Sequence, residues 1–182
     1  MSDLDPSKVE GFTNPQTVAR LMQLASQAQT IVEIGTWKGR TAIAMAVASP
    51  VSARIYCVDT WHGEVADETA GAAINPLGTY LGFLDNVATF PIPYGKIVSF
   101  PMTSVEASYW FRPDSVDLLY VDGNHEYDWV RKDLAWWYPK VRTGGILCGD
   151  DAFFEGVKRA TREFFGSRLS IEIDGKFWMV LK

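Results

Sequence analysis

The chain has 182 residues, enough for one domain with a sizeable core, and its 47% hydrophobic and 21% charged residues give an ordinary globular balance. The net charge of −5 speaks against a nucleic-acid or anionic-membrane surface, and no apolar run is long enough to span a bilayer. The acidic start, Met1 to Pro6, lacks the basic-then-apolar layout of a signal peptide, and Cys57 and Cys148 both sit in apolar runs, so a reduced, cytoplasmic protein is expected.

Asn14 before Pro15 reads as a helix cap followed by a helix-first proline, and Val18, Leu21, Met22 and Ala25 then fall on one helical face. Ile31 to Ile34 is the first strand, Thr41 to Val47 a small-residue helix, and Ala53 to Val58 a second strand that closes at Asp59. Residues 60–79 are weakly periodic and rich in Gly, Ala, Thr and acids, the composition of a long functional loop. A helix is expected over Tyr80 to Ala88, a strand over Lys96 to Phe100, a short helix over Ser104 to Trp110 and a fully apolar strand from Val116 to Val121.

Val130, Leu134 and Trp137 repeat at helical spacing, and Gly144-Gly145 restarts the chain into a strand over Ile146 to Cys148. Val157, Ala160, Thr161 and Phe164 mark a last helical face. Ser170 to Ile173 and Phe177 to Leu181 flank the Asp174-Gly175 turn of a hairpin. Strands alternating with helices predict a single α/β domain over residues 1–182: a Rossmann-like, mostly parallel seven-stranded sheet with helices on both faces, closed by a C-terminal antiparallel hairpin.

Ligands of such sheets bind beyond the carboxyl ends of the strands. Glu33, Asp59, Asp122, Asp150 and Asp151 all fall at those ends, and clustered carboxylates repel unless cations or hydrogen-bond donors relieve them. Gly35 and Gly39 flank Thr36, Trp37 and Lys38, a spacing different from the Gly-x-Gly-x-x-Gly of dinucleotide sites. A carboxylate two residues before Gly35 disfavours a pyrophosphate and favours a ligand with amines, hydroxyls or positive charge. S-adenosylmethionine (SAM), with its ammonium and sulfonium, fits.

Asp59 can accept from both hydroxyls of a ribose or serve as a turn residue; Thr60 follows it. Thr103 and Ser104 stand where an adenine edge can be read, and Ser104 reads equally as a helix N-cap with Glu106 nearby. Trp37 and Trp61 offer faces for cofactor or substrate, or pack internally. Asp122, Asp150 and Asp151 supply hard oxygen donors suited to Mg²⁺, Mn²⁺ or Ca²⁺, a cation that would stabilise an alkoxide or phenolate; the alternative is that Asp150 and Asp151 cap the helix near Phe154 while Asp122 faces water. Both members of the Asp150-Asp151 pair can ligate only if the chain turns at the strand end, because successive strand residues face opposite ways. His125, three residues beyond Asp122, reads as a general base or as a loop histidine. His62 reads first as an exposed loop residue, the alternatives being a residue that points to the cofactor or binds substrate.

These stretches resemble class I SAM-dependent methyltransferases, and within them the small bacterial O-methyltransferase branch that includes the macrolide-sugar enzymes and is related to the catechol-type enzymes. The likeness rests on Glu10-Gly11-Phe12, on Val32 to Thr41, on Val58 to Glu64, on Val121 to Tyr127, on Gly144-Gly145 with Gly149-Asp150-Asp151, and on Gly156 to Ala160. It implies SAM bound at Glu33, Gly35, Thr36, Trp37, Gly39, Asp59, Thr60, Trp61, Thr103, Ser104 and Asp122, and a divalent cation, Mg²⁺ in the first instance, at Asp122, Asp150 and Asp151. It implies His125 as the base and a hydroxyl of a small molecule as methyl acceptor. Asp151 stands where the catechol-type enzymes carry Asn, and His125 where they carry Lys. The chain is short for that group, so its substrate cover must come from residues 60–79, the termini or a partner subunit in a homo-oligomer. A fold relative with hydroxylase-like chemistry, or a non-catalytic nucleoside- and partner-binding module with Trp136-Trp137 at its interface, are the alternatives.

Overall fold

The computed structural model describes residues 5–62 and 76–182. In chain order the elements are α1 (Pro15–Ala25), β1 (Thr30–Ile34), α2 (Arg40–Ala48), β2 (Arg54–Asp59), α3 (Pro76–Thr89), β3 (Ile97–Pro101), α4 (Ser104–Ser108), β4 (Val116–Val121), α5 (Tyr127–Trp137), β5 (Val141–Gly149), α6 (Glu155–Phe165), β6 (Ser170–Glu172) and β7 (Phe177–Leu181). The strands form one seven-stranded sheet in the order β3-β2-β1-β4-β5-β7-β6. The first five run parallel, and β7 pairs antiparallel with both β5 and β6. Among the described residues no helix is long and apolar enough to cross a membrane.

The core divides by strand alternation. Ile31, Ile55, Cys57, Leu118, Tyr120 and Cys148 face one way and pack under α1, α2 and α3 through Leu21, Ala25, Ala42, Met45 and Phe83. Val32, Ile34, Val58, Leu119, Val121 and Leu147 face the other way, against α4, α5 and α6 through Ala107, Leu134, Trp137, Val157, Ala160 and Phe165. Both cysteines are free and buried. Extending the alternation by one residue puts Glu33, Asp59, Asp122 and Asp150 on the α1–α3 face of four neighbouring strands.

Several sequence expectations need correction. β5 begins at Val141 and runs through Gly144-Gly145 rather than restarting after them, with a register irregularity against β4 that accommodates the pair. The N-cap of α4 is Thr103, in a reciprocal capping box with Glu106, so Ser104 is the first helical residue. In α6 the buried aromatic is Phe165, with Phe164 only partly covered. Helix α3 starts at Pro76, inside the stretch expected to be a loop; the rest of that stretch, residues 63–75 with Gly63 and Glu64, lies outside the described residues.

The functional end of β5 depends on close strand packing at Gly149. A Cβ there would lie 2.4 Å from the Val121 carbonyl oxygen and 2.5 Å from the Trp178 ring. Backbone on one side and a fully buried indole on the other leave no flexible group to give way. Gly149→Ala is expected to destabilise the fold by about 2 kcal/mol or more, read as a lowered urea midpoint at unchanged m-value.

Candidate active site

The turn from β1 into α2 forms the first half of the site. Gly35 has φ +85°, and a Cβ on it would lie 2.1 Å from the Asp122 carbonyl oxygen. Only glycine permits this contact, which brings the end of β1 against the end of β4. Gly39, at φ +87°, leads into α2. Beneath the turn Glu33 is fully buried; its Oε1 accepts from the Thr41 hydroxyl and its Oε2 has no partner. Burial pushes the Glu33 carboxyl up to about 7 against the opposing pull of Thr41. Thr36 is buried in the same turn.

Asp59 organises the loop between these strands. Its Oδ2 accepts from the Trp37 backbone N–H at 2.8 Å and its Oδ1 from that of Trp61 at 2.7 Å. The carboxylate is therefore a turn residue in this form, with lone pairs left for further donors. Trp61 is buried: its Nε1 donates to the Trp37 carbonyl, and its ring packs on Tyr80 and Phe83, which makes it a core side chain. Trp37, held at φ +47°, is half-buried with its ring against Phe12. The Thr60 hydroxyl accepts from the His62 N–H, and His62 is exposed, as its sequence context suggested.

The pair after β3 is engaged locally. The Thr103 hydroxyl and N–H serve the capping box, and the Ser104 hydroxyl donates to buried Asp133 on α5. Burial raises Asp133 to about 6 against that bond. Neither side chain of the pair is spent on the glycine turn.

The second half of the site lies beyond β4 and β5. Asp122 Oδ2 accepts from the Tyr120 hydroxyl at 2.8 Å and from Thr13 at 3.4 Å. Burial, with the neighbouring charges of Asp150 and Asp151, holds its carboxyl well above the usual range. Asp150 and Asp151 follow the end of β5 and take separate partners. Asp150 is buried on the α1 side, where the Thr17 hydroxyl helps to offset the burial that lifts its carboxyl to about 6. Asp151 adopts φ +61° and turns to place Oδ2 2.7 Å from His125 Nε2. Among the described residues, ligand atoms of Asp122, His125 and Asp151 all lie within 4.8 Å of one another. Asp122 and Asp151 of the expected metal set fall in this group together with His125, and Asp150 stands beside it. A small cavity is lined by Asp122, Asn124, His125 and Asp150.

A family model described as a methyltransferase domain matches residues 32–152, which contain both halves of this site. The chain belongs to that methyltransferase family. The fold is also that of solved methyltransferases. The O-methyltransferase NovP superposes with a TM-score of 0.68 at 18% identity, covering 92% of this chain and 79% of its own. TomG from Streptomyces achromogenes, an O-methyltransferase involved in tomaymycin synthesis and solved with SAM, gives 0.68 at 18%, covering 94% and 82%. An O-methyltransferase from Bacillus cereus, solved with SAH, gives 0.62 at 14%, covering 98% and 87%. No curated protein sequence matches the chain.

Some residues of this methyltransferase site gave no sequence signal. Thr13, Thr17 and Tyr120 touch the acidic group from α1, its approach and β4. Arg40 anchors that approach by donating to the carbonyls of Val9 and Thr13 at 2.6 and 3.0 Å. Phe154 stacks on His125 with centroids 4.7 Å apart. Each is common in its local context, and only the tertiary fold gives it a partner.

Glu33 generates a pH prediction. Its native value near 7 lies above the ordinary 4.5, so between those pH values the folded chain holds a proton that the unfolded chain has lost. Stability from this group is complete at pH 4 and declines as pH rises through 7, by on the order of 3 kcal/mol. Glu33→Gln is expected to flatten that part of the pH dependence, measured as urea unfolding free energy from pH 5 to pH 8.

Proposed function

We propose that this protein transfers the methyl group of SAM to a hydroxyl of a small molecule, assisted by a divalent cation. The observation that carries the reading is the Gly35–Asp122 contact, which joins a nucleoside-type glycine turn to a carboxylate–imidazole group on one rim. The chain's membership of a methyltransferase family supports the reaction class, and the O-methyltransferases that share its fold support oxygen as the acceptor atom.

The residues present fit SAM. Glu33 Oε2 is an unpartnered buried acceptor, suited to an ammonium, and a ligand cation there would restore the carboxylate's charge. The glycine turn admits backbone close to a ligand, and Asp59 retains acceptor capacity for ribose hydroxyls. SAM supplies an electrophilic methyl on a sulfonium. Orienting the acceptor in line with that methyl is the main task left to the protein.

The residues also fit a hard or borderline divalent cation, with two carboxylates and an imidazole converging. Such a cation lowers the pKa of a bound hydroxyl. Asp122 and Asp151 would bring negative charge to the acceptor side, and the His125 imidazole beside Asp151 supports its reading as the base that takes the acceptor proton. Phe154 packs flat against the His125 ring and limits its rotation. Small-molecule acceptors suit a rim site whose specificity is set by loops.

Release of S-adenosylhomocysteine with phenolic and sugar hydroxyl acceptors tests this function. Turnover with at least one acceptor class is expected, and absence of both SAM binding and turnover would favour a non-catalytic relative. His125→Ala is expected to lower kcat about 100-fold while leaving the SAM Kd within about threefold. An equal loss of SAM affinity would place His125 on the nucleoside side and contradict its assignment to the acceptor.

A further inference from the structure

We infer that Trp61 and Asn86 are positioning residues for the cofactor: their side-chain N–H groups hold the carbonyls of Trp37 and Lys38 and keep the turn from Gly35 to Gly39 in the form that receives SAM. This rests on the proposed SAM-dependent transfer. It adds two residues that act on the nucleoside through the turn.

The turn needs an outside hold. Within five residues its backbone takes positive φ three times, +85° at Gly35, +47° at Trp37 and +87° at Gly39. Glycine adopts such angles freely. A bulky side chain does not, and Trp37 keeps this conformation only where its surroundings fix it.

Three successive peptide units are fixed, each from a different residue. The Trp37 N–H donates to Asp59 Oδ2 at 2.8 Å. The Trp37 carbonyl accepts from Trp61 Nε1 at 2.7 Å, and the Lys38 carbonyl from Asn86 Nδ2 at 2.9 Å. A carbonyl can only accept, so indole and amide nitrogen are the matching groups. Asp59 alone would leave the second and third units free to tilt.

Helix α3 aims both donors. Tyr80, Phe83 and Asn86 follow one another at three-residue spacing, which puts them on one stripe of the helix. The rings of Tyr80 and Phe83 lie 4.7 and 5.3 Å from that of Trp61, which is only 3% exposed. Phe83 also closes on the turn itself, since a Cβ on Gly39 would lie 2.8 Å from its ring. Trp61 sits at φ +55°, and its N–H donates to Asp59 Oδ1. One carboxylate thus registers two tryptophans in left-handed backbone, and the indole of the second ties back to the first.

The apparent affinity of a ligand falls in proportion to the fraction of protein that holds the competent form. Loss of either donor therefore weakens nucleoside binding without removing any group that touches the ligand. The loss is the same for SAM and S-adenosylhomocysteine, because the turn and not the methyl is altered.

Calorimetric titration of both nucleosides into the full chain tests this, with wild type, Trp61→Phe and Asn86→Ala compared. Trp61→Phe keeps a ring against Tyr80 and Phe83 and removes the donor. Asn86→Ala removes the other donor at a helical position where alanine favours the fold. Urea midpoints establish that each variant is fully folded under the titration conditions, where a purely structural role leaves Kd unmoved. Each variant is expected to raise both Kd values by about 3–10-fold. An unchanged Kd in either folded variant, or a loss for SAM alone, overturns the inference; if Trp61→Phe does not fold, Asn86→Ala decides it. Wild type that binds SAM beside variants that bind equally well removes only the positioning roles, whereas wild type that binds neither nucleoside removes the proposed transfer and the inference with it.

Discussion

Glu33, Asp59, Asp122 and Asp150 leave four adjacent parallel strands on the same face, and their mutual repulsion, together with the desolvation of three of them, is the constraint from which the site follows. Carboxylates buried in this way are driven toward protonation unless donors or cations meet them. The chain answers part of that demand itself. Thr41 serves Glu33, two backbone N–H groups serve Asp59, Tyr120 and Thr13 serve Asp122, and Thr17 serves Asp150. Among the described residues, the buried carboxylate oxygens left without a partner are Oε2 of Glu33 and Oδ1 of Asp150. A cationic nucleoside and a divalent ion are ligands of the charge these two atoms call for.

The N-terminal approach to α1 connects these parts. Arg40, the first residue of α2, holds the carbonyls of Val9 and Thr13, while Lys38 pairs with Glu10 at 2.5 Å and Trp37 packs on Phe12. Three successive kinds of contact thus fasten residues 9–13 over the glycine turn. The same segment carries the Thr13 hydroxyl to Asp122. Residues on both sides of the turn are positioned by one strap, so the two halves of the rim share a wall.

Much of this was legible before any coordinates. The apolar runs that close at Asp59, Asp122 and Asp150 located three strand ends, because an unpaired carboxylate is costly inside a buried strand. The Asn14-Pro15 cap and the hairpin turn at Asp174-Gly175 were readable for the same local reasons. What the sequence did not disclose were choices made by tertiary packing. Asp150 and Asp151 are adjacent and chemically identical, and only the positive φ of the second sends them to opposite partners. Trp61 offered the same aromatic face to a ligand or to the core, and contacts from α3, distant in sequence, made it core. Ser104 read as the cap of α4, but its hydroxyl reaches Asp133 on α5 and Thr103 takes the cap instead.

Proton-linked calorimetry addresses the central claim most directly. SAM is titrated into the full chain at pH 6 in two buffers of different ionisation enthalpy, and the protons released on binding are counted. If the nucleoside's ammonium meets buried Glu33, binding ionises that carboxyl and releases a substantial fraction of one proton, up to about one, and Glu33→Gln releases none. Failure to bind SAM, or the same proton count in both proteins, would contradict the account.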